Sequence, residues 1–317
     1  MHTYLLVNFG GPRSLEEIRP FLQELLCDQD VIRSNLPAFL HKILFSRLAK
    51  KRALKIAADY LEIGGKSPIY FDTELLADKL SKKLNAKVIT FHRYLPDTHA
   101  ESLKQIENAS SLKIIPLFPQ FSYATTGSIA RFFSHLPPQK LKWIKSYPAH
   151  PAFIRCYQER IRETLALYNL KEEEVVLLFS AHGLPAESSL EGDLYESECE
   201  LSFRLVMEEF PKAMGKLAYQ SKFGKGEWLR PYTDEVCKTI SHWHRNRKSI
   251  IFIPISFTSD HIETLFEIEK LYLPIIRRQG MNAYRCPALN LQPYWVDALA
   301  EIAQDMNLCS NQMLVRR

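Results

Sequence analysis

Short unbroken apolar runs alternate along this chain with longer stretches whose apolar residues recur every three or four positions. The clearest run is Val175–Phe179, five apolar residues in succession, which suits a strand buried on both faces of a parallel sheet. Similar runs occur at Thr3–Val7, Lys87–Phe91, Leu112–Leu117, Lys216–Tyr219 and Ser249–Ile255. Two more precede proline-marked turns, in KWIKSYPAHP and NAYRCPALNLQP. Helical spacing fills the gaps at Leu15–Leu26, Glu74–Leu84, Ala100–Asn108, Ala152–Tyr168, Glu198–Glu209, Glu235–Arg245 and Tyr294–Met306.

The order of elements occurs twice. Each half opens with a buried strand running into a glycine turn, Asn8-Phe9-Gly10-Gly11-Pro12 in one and Ser180-Ala181-His182-Gly183-Leu184-Pro185 in the other. Each continues with two further strands and closes with a strand and a helix. Alternating strand and helix predicts parallel sheets with right-handed crossovers. The expected fold is α/β, with two Rossmann-like domains, each around a four-stranded parallel sheet, and a cleft between them. Residues 1–150 with a C-terminal helix at about 293–317 form the first domain, and 151–292 the second. The competing arrangement is one long sheet.

Leu36–Lys55 departs from this plan. Leu36, Phe39, Leu40, Ile43, Leu44, Phe45 and Leu48 are dense, and Lys50, Lys51, Arg52 and Lys55 follow. Such a stretch is either a core helix with a solvated end or an apolar lip on a cleft, with bases at its root and able to touch a bilayer. At about 1 kcal/mol per base near an anionic surface, the charge alone gives only weak peripheral association. Apolar content of 46% and charge of 24% over 317 residues are ordinary for a globular protein. No run approaches the roughly 18 apolar residues of a membrane helix, and the start shows no secretory pattern. The six cysteines are scattered without a CxxC pair, which disfavours a cysteine zinc site and fits the cytoplasm. The net charge of +5 is dispersed, and no nucleic-acid motif appears.

Candidate chemistry gathers at the predicted carboxyl edges of the strands, where open α/β sheets bind ligands. His182 stands just past Val175–Phe179. Phe257-Thr258-Ser259-Asp260-His261-Ile262-Glu263 follows Ser249–Ile255. Asp260 with Glu263 reads as a capping box, but a helix start has no need of His261 beside them. His182, His261 and Glu263 offer a base and a carboxylate near one point, with Glu267 one turn beyond Glu263. Thr125–Ser128 reads as a capped helix start. The turn at Gly10-Gly11-Pro12 lacks G-x-G-x-x-G, which disfavours a dinucleotide. Phe9, Tyr94, Phe121, Tyr123 and Trp228 lie near these edges and could flank a flat ligand.

Seven motifs in order, VNFGGP, YLEIGGKSPI, HRYLP, PLFPQFSYATTGS, SAHGLP, YQSKFGKGEWLRPYT and SDHIETL, resemble those of the ferrochelatase family, over the whole chain. The resemblance implies a lyase that inserts ferrous iron into a porphyrin. It places the catalytic histidine at His182 and carboxylate at Glu263, with His261 and Asp260 beside them. It gives porphyrin contacts to Phe9, Arg52, Lys55, Arg93, Tyr94, Tyr123, Ser221 and Trp228, and metal contacts to His182, Glu263 and Glu267. Arg52, Lys55 and Ser221 are expected to orient propionates. Tyr123 stands where some members carry a cluster-binding cysteine, so no iron–sulfur cluster and no prosthetic group are expected. An acid present further along the row in some members is Leu271 here.

Iron can enter only if the macrocycle loses two N–H protons. In the expected arrangement His182 takes protons or offers iron on one face of the ring, and Glu263, His261 and Asp260 hold or relay protons on the other, across a slot. Porphyrin and iron are the expected partners, without nucleic acid, and the chain is expected to act as a monomer. Protoporphyrin IX is the expected substrate, with coproporphyrin III as the alternative. The rivals are a chelatase for another tetrapyrrole and a non-catalytic binder of haem or metal chelates.

Overall fold

A computed structural model of the chain describes residues 3–224 and 226–316; Lys225, inside the YQSKFGKGEWLRPYT motif, lies outside the described residues. The chain divides into two compact units, residues 1–146 with 299–317 and residues 147–298.

In the first unit the strands are β1 (Thr3–Asn8), β2 (Val88–His92), β3 (Leu112–Pro116) and β4 (Leu141–Ile144). They pair in parallel in the order β2-β1-β3-β4. A fifth strand, β9 (Leu308–Ser310), adds antiparallel to β4 and corrects the expected four strands. Three residues are too short to show a period, so nothing in the apolar pattern marked it. The helices are α1 (Ile18–Cys27), α2 (Ala38–Glu62), α3 (Ile69–Leu84), α4 (His99–Asn108) and α5 (Ser128–Phe132). Leu5, Val7, Phe91, Ile114, Phe133 and Trp143 are fully buried in one core.

The second unit opens on α6 (Pro151–Leu167), with His150 accepting from the Ala152 amide at its start. Then come β5 (Val175–His182), α7 (Glu187–Leu190), α8 (Tyr195–Met207), β6 (Met214–Gln220), α9 (Thr233–Lys238), α10 (Ile240–Trp243) and β7 (Ser249–Ile253). A π-wound segment, Glu263–Tyr272, runs into α11 (Leu273–Arg277), followed by β8 (Asn282–Arg285) and α12 (Pro293–Ile302). The sheet order is β6-β5-β7-β8, all parallel. The two sheets therefore share one plan: the opening strand is central, the second lies on one side of it, and the third and fourth lie on the other. The crevice between the opening and third strands is a topological switch point, where α/β sheets bind ligands at their carboxyl ends. The closing helix, expected to reach about residue 317, stops at Ile302, where the chain turns into β9.

α2 resolves the Leu36–Lys55 alternatives toward the surface. Phe39, Ile43, Leu44 and Leu54 are exposed, Leu54 by 80%. Only His41, Ala49, Ala53 and Tyr60 of this helix are buried. Among the described residues no helix is long and apolar enough to cross a membrane.

Candidate functional site

The switch point of the second sheet places His182 at the last position of β5, paired in register with Gln220 of β6. The strand leaves the sheet at Gly183, whose amide donates to the Gln220 carbonyl at 2.8 Å. A Cβ there would lie 2.8 Å from that carbonyl and 3.3 Å from the Trp228 ring, so only glycine fits the exit. The chain leaving β7 reaches Ser256, whose Oγ accepts from the His182 amide at 3.1 Å, and then delivers Glu263. His182 Nδ1 and Glu263 Oε2 lie 2.8 Å apart.

That contact corrects the expected arrangement. The histidine and the carboxylate do not face each other across a slot; they form one hydrogen-bonded pair. The reason is topological: β5 and β7 are neighbours, so the loops leaving them meet at one edge. The capping box is absent too. The Asp260 amide donates to Asn290 Oδ1 at 2.7 Å, which leaves the Glu263 carboxylate to His182 and Ser221.

Burial opposes the charge on His182, but the adjacent Glu263 carboxylate outweighs it and raises the imidazole above its ordinary value. Burial likewise opposes Glu263, yet His182, His261 and Ser221 lower it to about 2. The pair is an ion pair over the range between. Its side chains are 36% and 26% exposed, so solvent weakens its contribution to stability. An ionised Glu263 fixes the tautomer, since neutral His182 then donates through Nδ1 and leaves Nε2 as a bare base.

Glu267 lies beyond Glu263 along the π-wound segment. Its Oε1 accepts from the Ser221 amide and the Tyr272 hydroxyl, and its Oε2 from Ser221 Oγ and Gln220 Nε2. Burial and the neighbouring Glu263 raise its pKa. Ser221, at φ +64°, thus bridges two carboxylates, with its hydroxyl 3.2 Å from Glu263. The expected metal set of His182, Glu263 and Glu267 is also corrected as a ready-made site. Among the described residues no three His, Cys, Asp or Glu side chains are placed to hold a metal together. His182 Nδ1 is already paired with Glu263, and the Glu267 oxygens with Ser221, Gln220 and Tyr272. Tyr272, rather than a third acid, closes the row, and Leu271 is exposed.

Asp260 is not free to pass protons. Its Oδ1 accepts from Arg285 Nη1 at 2.7 Å and Thr264 Oγ1 at 2.8 Å, and its Oδ2 from Asn290 Nδ2 at 2.8 Å. Burial opposes its charge, but Arg285 and these donors hold its pKa below the ordinary value. It is an anchor for the loop, and the relay expected of it is corrected accordingly. His261 stays at the site, with Nε2 3.9 Å from Glu263 Oε2 and its ring on Phe257. Burial lowers its pKa despite both acids, the opposite direction from His182.

In the first unit the structure separates the expected porphyrin contacts. Phe9 is half-buried and packs on Tyr94 and Phe118, at 5.0 and 4.7 Å between ring centres. Arg52 is half-buried, burial lowering its pKa, and Lys55 is exposed; both lie on α2. Tyr123 is half-buried, against Phe121 and beneath the Arg316 guanidinium. Tyr94 is fully buried, and its hydroxyl donates to Asp28 Oδ2 at 3.1 Å. Arg93 Nη2 donates to the same oxygen at 2.8 Å. Tyr94, with no exposed face, is corrected from a ring contact to a support; Arg93, its side chain 15% exposed, spends Nη2 on Asp28. In the second unit Trp228 is half-buried and bridges to Pro185.

The family model described as ferrochelatase matches residues 2–307. The chain belongs to the ferrochelatase family. The ferrochelatase of Chlamydia abortus (strain DSM 27085 / S26/3) is 48% identical over 99% of each chain. That of Chlamydia trachomatis serovar A is 47% identical over 96% of each. Among solved structures, SirB from Bacillus subtilis with Fe3+ aligns with a TM-score of 0.52 at 13% identity, covering 95% of this chain and 94% of that one. CbiX, described as the terminal enzyme of sirohaem biosynthesis in denitrifying bacteria, aligns at 0.52 and 14%, covering 74% and 90%. At that identity these two support the chelatase fold alone. As a ferrochelatase the protein is an enzyme of haem biosynthesis that inserts iron into a porphyrin, with both as substrates.

Sequence reasoning passed over Arg285, Asn290, Gln220, Tyr272 and Asp28. Arg285 carried little signal, since it ends a four-residue strand in which Ala283 alone is buried. Gln220 is 2% exposed, and its Oε1 accepts a hydrogen bond from Ser180 Oγ at 2.6 Å. Its partners come from three separate segments, and no spacing in the chain brings those together.

Proposed function

We propose that this ferrochelatase inserts ferrous iron into protoporphyrin IX to give protohaem and two protons, a lyase reaction, with His182 Nε2 as the proton acceptor. The observation that carries the mechanism is the 2.8 Å contact between His182 Nδ1 and Glu263 Oε2. It directs the basic nitrogen away from the carboxylate and stabilises the imidazolium as a pyrrole proton arrives. Glu263 holds that charge, and Glu267 sits behind it through Ser221. Iron meets His182 and the acids in passing rather than in a permanent cage. Phe9, Trp228 and Tyr123 offer apolar surface to the ring. Arg52 and Lys55 orient propionates through charge-assisted bonds worth roughly 1.5–3 kcal/mol each. Two such bases suit a porphyrin with two propionates.

The same reading has the enzyme acting as a monomer in the cytoplasm, without a bound cluster, its exposed α2 face making weak, salt-sensitive contact with anionic bilayers.

The test is metal insertion followed by absorbance, with ferrous or zinc ion and either protoporphyrin IX or coproporphyrin III. The expected result is a higher kcat/KM for protoporphyrin IX and a loss of about 10²–10⁴-fold in folded His182→Ala. Preference for coproporphyrin III would overturn the substrate assignment. A normal rate in His182→Ala would overturn the mechanism.

A further inference from the structure

Asp28 follows the last residue of α1 and begins the joint to α2. Its side chain is 6% exposed, and one of its oxygens, Oδ2, collects three donors from distant parts of the chain. Arg93 Nη2 lies at 2.8 Å, Tyr94 Oη at 3.1 Å and Ser128 Oγ at 2.6 Å. The donors also bind each other: Arg93 Nε donates to Ser128 Oγ at 3.2 Å, and the Tyr94 and Ser128 hydroxyls are 3.2 Å apart. The other oxygen, Oδ1, accepts from the Asp30 amide at 2.9 Å. The Asp28 carbonyl accepts from the Val31 and Ile32 amides at 3.2 and 2.8 Å. One residue therefore shapes the start of the joint and pins it to the carboxyl edge of β2 and the start of α5.

This lies at the carboxyl edge of the first sheet, beside the end of β1, the strand that corresponds to the one ending in His182 in the second; the Arg93 amide donates to the Asn8 carbonyl there at 2.9 Å. The cluster around Asp28 itself contains no imidazole; His92, the last residue of β2, pairs instead with Glu74, Nε2 to Oε1, at 2.7 Å. Burial and the Asp28 charge push the Tyr94 phenol well above its ordinary value, so it stays a neutral donor. The Arg93 guanidinium lies over the Tyr94 and Phe132 rings, at 5.0 and 4.9 Å. The Tyr94 ring supports Phe9 on one side and meets Phe21 of α1 edge-on at 6.3 Å. The joint pinned by Asp28 leads into α2, which carries Arg52 and Lys55.

We propose that Asp28 is a positioning residue for porphyrin binding, through which Arg93 and Tyr94 fix the Phe9 ring and the root of α2 without touching the substrate. The proposal rests on the assignment of Phe9, Arg52 and Lys55 to the porphyrin. Losing the carboxylate charge leaves Arg93 half-buried beside a neutral amide and loosens the joint, so the effect falls on substrate placement.

The test measures porphyrin Kd by fluorescence, with KM for porphyrin, KM for metal and kcat, in Asp28→Asn and Tyr94→Phe. Asp28→Asn is expected to raise porphyrin Kd and KM roughly three- to thirtyfold, with kcat and metal KM near wild type. Tyr94→Phe should shift the same two quantities by less. The double variant should bind no worse than Asp28→Asn by more than a small factor, because both break one network. A folded Asp28→Asn protein with wild-type porphyrin Kd overturns the proposal, as does a fall confined to kcat. If Asp28→Asn does not fold, wild-type Kd in both Tyr94→Phe and Ser128→Ala overturns it. Arg52→Ala and Lys55→Ala, measured alongside, separate the two assignments: wild-type Kd in these with a raised Kd in Asp28→Asn refutes the propionate contacts and leaves Asp28 acting through Phe9.

Discussion

His182 owes its chemistry to one neighbour. Burial alone would depress an imidazole, and the Glu263 carboxylate reverses the sign. With His182 as the proposed base, turnover requires its neutral form, so the acid limb of the pH profile should rise through a value above the ordinary imidazole pKa. Glu263→Gln removes the charge and keeps the burial. The limb should then move to lower pH while the plateau falls, which a pH series of kcat/KM would reveal; an unmoved limb would count against His182 as the base. Linkage gives the stability consequence. The raised histidine stabilises fully below its unfolded value and less as pH rises through its folded one. The depressed Glu263 stabilises above its unfolded value and less as pH falls toward about 2. At this scale the sequence was legible in part. A histidine at the end of an apolar run was visible. Whether Glu263 capped a helix or faced a base was not, because the deciding partners, Asn290 and Ser221, are remote in the chain. Tyr94 was misjudged because residue type does not report burial.

The elements were legible where apolar runs were long. Eight strands lie where the pattern put them to within a few residues, and the lost one, β9, is three residues long. The π-wound segment was not legible, since its apolar spacing resembles that of an ordinary helix. Its start is held by the Asp260 anchor, where Arg285 joins two acids of unequal exposure. Arg285 and Asp260 side chains are 11% and 10% exposed, whereas Glu269, 2.7 Å from Arg285 Nε, is 40% exposed. Arg285→Ala strands a buried carboxylate and should cost about 3–5 kcal/mol. Glu269→Gln, losing the more solvated partner, should cost under about 1 kcal/mol. Urea midpoints at constant m-value would compare them. Equal small losses would mean that Thr264, Asn290 and the Ala288 amide suffice to hold Asp260.

At the scale of the whole molecule, one strand order serves twice with different content. The edge of the first sheet carries Asp28, Arg93, Tyr94 and Ser128, closed on one another; that of the second carries His182, Glu263, Ser221 and Glu267, with Nε2 left over. Repetition of order was readable in the sequence because buried runs fix strand order. The division of labour was not, because it depends on which polar groups end up satisfied. If binding belongs to the first unit and proton transfer to the second, the two are separable by ligand linkage. Porphyrin without metal, at a hundred times its Kd, should stabilise the folded protein by about 2.7 kcal/mol and raise Tm accordingly. His182→Ala should keep that rise while losing insertion. Replacing Arg52 and Lys55 together removes two charge-assisted bonds of roughly 1.5–3 kcal/mol each, more than the whole linkage effect at that concentration, so the rise should vanish. Loss of the rise in His182→Ala, with its retention in the Arg52→Ala/Lys55→Ala double variant, would reverse the assignment and make the histidine a binding group.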